Sequence, residues 1–168
     1  MVAQMGQREA SNQEIQDRYQ QIISKMQEQQ RLFSVHWELT YQCNERCTHC
    51  YLNVLPPGAK ALGELATEEC KDILDQLAAE GVLHLTFSGG EILLRRDFFE
   101  IAEYARKKGF ALALFSNGTL VKPEVADRIA TLHPLRVELS IYGARPETHD
   151  QVTLLQRSFE LTTQACQL

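Results

Sequence analysis

Leu32-Phe33-Ser34-Val35-His36-Trp37-Glu38-Leu39-Thr40 runs almost directly into Cys43-Asn44-Glu45-Arg46-Cys47-Thr48-His49-Cys50. The first run is rich in β-branched and aromatic residues and reads as a strand. The second packs three cysteines into eight residues, with three residues and then two between them. A loop carrying three thiols therefore begins just past the C-terminal end of a strand. In open and closed α/β sheets that is where ligands collect. Three thiolates on one short loop can grip a single inorganic cluster. A cubane [4Fe–4S] cluster is usually held by four thiolates, so three would leave one iron open to bind and activate a small molecule.

Working outward, strand and helix signals alternate. Pro56-Pro57-Gly58 breaks the chain after the cysteine loop. Thr67, followed by Glu68 and Glu69, predicts a helix start, and Gly81 its stop. A second strand covers Leu83 to Ser88 and ends in Gly89-Gly90-Glu91. Glycines let a ligand approach the backbone closely, and Glu91 would put a carboxylate on the face of the cysteine loop. Asp97 and Glu100 predict a capping box, and Arg106-Lys107-Lys108-Gly109 the end of that helix. A third strand, Phe110 to Ser116, ends in Asn117-Gly118. Pro123 suits the first turn of a short helix. A fourth strand covers Arg136 to Ile141, and a last helix begins at Ser158. Four βα units in series predict a parallel sheet with right-handed crossovers.

The N-terminal part differs. Residues Glu9 to Arg31 contain no Pro or Gly, and Ile15, Tyr19, Ile22, Ile23 and Met26 share one face of a helix. The expectation is an amphipathic helix over residues 1–32, docked beside a core domain over 33–168; a partner-binding helix is the alternative.

The chain has 168 residues, 44% hydrophobic, with a formal net charge of −5. That is enough for one globular domain and argues against non-specific nucleic-acid binding. No apolar run approaches the ~20 residues of a membrane span, and no secretory signal precedes the helix. Five cysteines, three of them clustered, do not form an extracellular disulfide pattern, so a cytoplasmic location is expected.

The cysteine triplet, with Thr86-Phe87-Ser88-Gly89-Gly90-Glu91 at a strand end, resembles the radical S-adenosylmethionine (SAM) superfamily. Phe115-Ser116-Asn117-Gly118-Thr119 and Leu139-Ser140-Ile141-Tyr142-Gly143, with Thr148-His149-Asp150, narrow the resemblance to peptide-modifying and cofactor-maturing members of the SPASM type. The resemblance implies an α/β fold, a partial (β/α) barrel of six units of which four are present here. It implies Cys43, Cys47 and Cys50 as ligands of a [4Fe–4S] cluster. It further implies SAM contacts from His49 against the adenine, Gly89, Gly90 and Glu91 at the methionine amine, and Ser140 and Asn117 at the ribose or carboxylate. The implied activity is reductive cleavage of SAM to a 5′-deoxyadenosyl radical that abstracts a hydrogen atom, on a peptide or protein substrate. An electron donor such as flavodoxin or ferredoxin would be the other partner, with neither nucleic acid nor membrane involved.

Departures are visible. Ile92 stands where many relatives have Pro, and Leu154-Leu155-Gln156-Arg157 replaces a glycine-containing turn. Read without the resemblance, the cysteines fit a structural zinc site with His49 or Cys70 as fourth ligand, and Asn117-Gly118 is a plain turn dipeptide. Cys70 and Cys166 read as ordinary thiols, and His149 and Asp150 as helix-entry residues. The non-catalytic alternatives are a metal-binding module or a shortened fragment that binds a cluster without turnover. A fourth strand with no successor predicts an open sheet edge.

Overall fold

The computed structural model describes residues 2–59 and 63–168, the side chains of residues 2–12 excepted. The chain divides into two units, Met1–Phe33 and Ser34–Leu168. In the first, helix α1 spans Val2–Glu28, starting well before Glu9. Within this unit Tyr19 meets Phe33 edge-on at 5.9 Å.

The second unit runs β1 (Ser34–Thr40), α2 (Thr67–Ala79), β2 (His84–Gly89), a 3₁₀ turn (Ile92–Leu94), α3 (Phe98–Lys107), β3 (Ala111–Ser116), α4 (Pro123–Thr131), β4 (Arg136–Leu139), α5 (Pro146–Thr153) and α6 (Ser158–Ala165). All strand pairs are parallel, in the order β1-β2-β3-β4. Four βα units in chain order are what the alternation predicts.

Register sorts the side chains. Trp37, Phe87, Leu114 and Val137 form one row across the sheet. Trp37, Phe87 and Leu114, with Leu39, Leu85 and Leu112, pack against helices that contribute Cys70, Leu74, Phe98, Ile101, Ala102 and Ile129. The apolar core thus lies on the helical side, and the opposite, concave side is left for other work.

Local chemistry differs from the sequence reading at several ends. Ala66, not Thr67, is the N-cap of α2, and Glu69 accepts the Ala66 N–H at 2.7 Å. Thr67 instead donates to Asp97 at 2.6 Å. Asp97 is the N-cap of α3 but makes no side-chain cap bond, because Arg95 takes its carboxylate at 2.8 Å. The fourth strand stops at Leu139, two residues earlier than expected, since β3 has no residue beyond Ser116 to pair with it. At this edge Leu135 and Val137 are exposed, and an apolar recess of about 550 Å³ lies among Val121, Ile129, Val137, Leu139, Ala165 and Leu168.

Candidate cofactor site at the strand ends

Beyond β1 the backbone turns through Thr40–Cys43, pinned twice. Leu55 closes the base of the loop: Cys43 N–H donates to Leu55 O at 2.8 Å, and Leu55 N–H to Tyr41 O at 2.7 Å. Arg95, buried, donates to Leu39 O at 2.9 Å and Leu65 O at 2.7 Å, fixing the end of β1 from below. The far side of the loop rests on the C-terminus of α5, where Thr153 O accepts the Arg46 N–H at 2.9 Å and Val152 O that of Thr48 at 2.8 Å. Carbonyls at a helix C-terminus lack intrahelical partners, so they are natural acceptors for a crossing loop.

Gly89 and Gly90 meet this loop backbone to backbone. Gly90 N–H donates to Thr40 O at 2.8 Å and Glu91 N–H to Gln42 O at 2.7 Å. A Cβ on Gly89 would sit 2.3 Å from Thr40 O, and one on Gly90 2.2 Å from Gln42 O. Gly89 also has φ +131, a conformation other residues rarely adopt. The glycines are therefore required by the close crossing itself, and they also form a wall of the cavity.

Glu91 is fully buried. Its carboxylate accepts from Leu93 N–H at 3.0 Å, from Asn117 N–H at 2.8 Å, and from the Ser116 hydroxyl at 2.9 Å. Burial pushes its pKa up, and these donors offset the push only in part. Where the sequence places Glu91 toward the loop face, the structure turns it into the junction of β2 and β3. The 3₁₀ turn at Ile92, in place of Pro, carries the chain away beneath it.

Asn117 is likewise committed: Nδ2 donates to Asn44 Oδ1 at 2.9 Å, and Oδ1 accepts from Thr119 Oγ1 at 2.7 Å. Thr162 of α6 caps its carbonyl at 2.6 Å. Asn117 thus ties β3 to the cysteine loop while still lining the cavity.

The cavity, about 300 Å³, is lined by Cys43, Cys47, Cys50, His49, Gly89, Gly90, Asn117 and Ser140, together with Glu45, Tyr142, His36, Ser88 and Phe115. Of the expected site residues only Glu91 does not line it. All five cysteines are free, and Cys43 is buried while Cys50 is exposed. Burial raises the Cys43 thiol, and burial followed by the nearby Glu45 pushes Cys47 up to about 12. Thiols held so high need a cation to become ligands, which is what a bound iron supplies. Glu45 is 3% exposed; Cys47 Sγ–H donates to its Oε2 at 3.4 Å, and its Oε1 has no partner among the described residues. Burial, relieved in part by that thiol, raises its carboxyl to about 7. A donor set of three thiols around a cavity, with an orphaned buried oxygen beside it, fits a group larger than one ion. No three His, Cys, Asp or Glu among the described residues are grouped to hold a single metal ion.

His49 stands at the rim, edge-on to Tyr142 at 4.6 Å; Tyr142 stacks on His149 at 5.6 Å and donates its N–H to His149 Nδ1 at 3.1 Å. His149 and Asp150 lie within α5, not at its entry. Asp150 accepts from Arg157 N–H at 2.5 Å and Phe159 N–H at 2.9 Å, and so caps α6 from the preceding helix. Tyr142, Arg95 and Glu45 were missed from sequence; Tyr142 alone carried a signal, two residues beyond Ser140. Cys70 lies in the core, 3.5 Å from Arg95, and Cys166 is exposed, so neither belongs to the cavity.

Residues 37–168 match the Radical SAM superfamily. The chain belongs to that superfamily, a family of enzymes. It is 40% identical over 128 residues to the AdoMet-dependent heme synthase of Methanosarcina barkeri, covering 76% of this chain and 36% of that protein. It is 37% identical over 131 residues to the mycofactocin maturase MftC of Mycobacterium tuberculosis, covering 78% and 32%. The subtilosin biosynthesis protein AlbA of Bacillus subtilis is 35% identical, covering 79% and 29%. The chain thus spans about a third of the length of these relatives. In fold it resembles Streptococcus suis SuiB bound to the precursor peptide SuiA, with TM-score 0.68, 14% identity and coverage of 89% and 33%. It also resembles anSMEcpe with bound AdoMet, with TM-score 0.64, 25% identity and coverage of 82% and 39%. The expected partial-barrel fold and the SPASM-type kinship are thereby shown.

Proposed function

We propose that this chain holds a [4Fe–4S] cluster on Cys43, Cys47 and Cys50 and binds SAM on the open iron beside it. The observation that carries the reading is the shared cavity: three free thiols and the Gly89-Gly90 backbone face one space at the C-terminal ends of parallel strands. When bound, the cluster would supply the one-electron reduction by which SAM is cleaved, and with it the radical chemistry of hydrogen-atom abstraction.

The chain's own residues bind and orient. Backbone carbonyls near Gly89 and Gly90 receive the methionine amine, Ser140 and Asn117 stand near the ribose or carboxylate, and His49 with Tyr142 flanks the adenine. Glu91 acts by holding Gly90 and Asn117 in place, a change of role from direct contact. A small redox protein such as flavodoxin or ferredoxin is the electron donor in this reading, and a reducing cytoplasm keeps the thiols available. Among the described residues no helix is long and apolar enough to cross a membrane.

The substrate class favoured by the kinship with peptide maturases is a peptide or protein side chain. A tetrapyrrole is the second reading, because relatives at 40% and 37% identity are named heme synthase and Fe-coproporphyrin III synthase. Anaerobic reconstitution tests the cofactor reading. The chain should take up about four irons, Cys47→Ala should lose most of them, and Cys70→Ala should keep them. Reduced protein should then release 5′-deoxyadenosine from SAM. Zinc as the bound metal, or equal loss in Cys70→Ala, overturns the reading. Mass changes in peptide or in iron coproporphyrin separate the two substrate classes.

A further inference from the structure

The concave side of the sheet carries polar side chains for which neither the thiol loop nor the glycine crossing accounts. Register places His36, Thr86, Ala113 and Arg136 in one row, Glu38 beside Ser88, and Phe115 beside Glu138. Paired residues on neighbouring strands share a face. The acids of this face are engaged: Tyr51 donates to Glu38 at 2.7 Å, and Arg136 Nε pairs with Glu138 at 2.6 Å. His36 Nε2 and Ser88 Oγ are hydrogen-bonded. The His36 ring stands edge-on to Phe115, 5.5 Å between centroids and 89° between planes, which fixes its orientation. His36, Ser88 and Phe115 all line the cavity that holds the three cysteines.

The pair has spare capacity whichever way its proton lies. If Ser88 O–H donates to Nε2, the imidazole carries its proton on Nδ1, which has no partner among the described residues. If Nε2–H donates to Ser88, the serine hydroxyl is free to donate onward. Either tautomer leaves one donor for an incoming acceptor.

We propose that His36 and Ser88 form a substrate-contacting floor of the cavity. There they donate a hydrogen bond to a carbonyl-oxygen acceptor, a carboxylate or an amide carbonyl, of the molecule whose C–H bond is attacked. That this molecule is the radical's substrate rests on the proposed function; the contact itself rests on the pair and the cavity. The floor holds an acceptor in place beneath the rim where cofactor chemistry takes place, and so selects which C–H bond is presented.

The test uses the full chain, anaerobically reconstituted and uniformly labelled with ¹⁵N, with acetate and N-methylacetamide as probes. The His36 imidazole signals should shift saturably with at least one probe; the acetate arm reports a carboxylate and the amide arm a carbonyl. Ser88→Ala should weaken the effect about tenfold, the order of one hydrogen bond to a charged or neutral acceptor. His36→Gln, which keeps a donor, should preserve binding as read at Phe115, and His36→Ala should abolish it. No saturable shift with either probe, or full binding in folded His36→Ala, overturns the proposal. SAM titrated into the same samples, read at the Gly89 and Gly90 amides, keeps the two readings apart. Probe binding without SAM binding breaks the cofactor reading alone, and the converse breaks the floor alone.

Discussion

Glu91 and Glu45 are both buried carboxylates beside one cavity, yet their surroundings are opposite. Glu91, at the end of β2, is met by two backbone N–H groups and a serine hydroxyl and lies outside the cavity lining. Glu45, in the cysteine loop, is met by one thiol, keeps an orphaned oxygen, and lines the cavity. The strand-end turn is complete as it stands, whereas the loop is arranged for something further. The contrast separates scaffolding from site more sharply than either motif does by itself.

The largest effect is expected at the completed side. Glu91→Ala would strand the Leu93 and Asn117 N–H groups and the Ser116 hydroxyl in a dry interior. At 1–3 kcal/mol for each unmet group, a loss of about 4 kcal/mol is expected, read by chemical denaturation of the metal-free chain. A loss below about 1 kcal/mol would mean that Glu91 is not a structural junction.

The incomplete side should show itself as a pH effect. Glu45 in the folded, metal-free chain titrates near 7 rather than at its ordinary value of 4.5. The unfolded chain therefore ionises first, and stability falls as pH rises from about 4.5 to about 7 before levelling. The fall should approach about 3 kcal/mol at most, and Glu45→Gln should flatten it. Stability that is level across this window would place Glu45 in a better-satisfied setting than its orphaned oxygen indicates.

Two smaller effects sharpen the contrast. Gly90→Ala pushes a methyl into Gln42 O, where backbone must yield, so about 2 kcal/mol is expected. Crucially, the cysteine loop and the strand end should loosen together, seen as faster amide exchange at both Gln42 and Glu91. Asn117→Ala removes the tie to Asn44 and Thr119 and should cost about 1 kcal/mol, with faster exchange confined to the loop.

The same contrast explains what the sequence could and could not show. The strands, their parallel order and the cysteine triplet were legible because alternation and spacing are local signals. The glycines were legible too, but as ligand-approach residues; that they admit the Thr40–Gln42 backbone depends on where the chain leaving β1 passes the end of β2, a tertiary fact. The direction of the Glu91 side chain was illegible for the same reason: it follows from the 3₁₀ turn at Ile92 and the donors of Ser116 and Asn117, 25 and 26 residues away. Asp150 capping α6 and Arg95 bracing β1 are likewise long-range choices among ordinary-looking charges. His36 was read only as a strand residue, and the partner that gives it meaning, Ser88, lies 52 residues downstream.

The central claim is that the loop side is a cofactor site with one iron open to SAM. Electron paramagnetic resonance of the reduced, reconstituted chain, with and without SAM, tests it most directly. The account predicts that SAM alters the cluster signal in the parent chain and in the milder Glu91→Gln variant, since Glu91 supports the site without touching the cofactor. A cluster signal indifferent to SAM in the parent chain would contradict it.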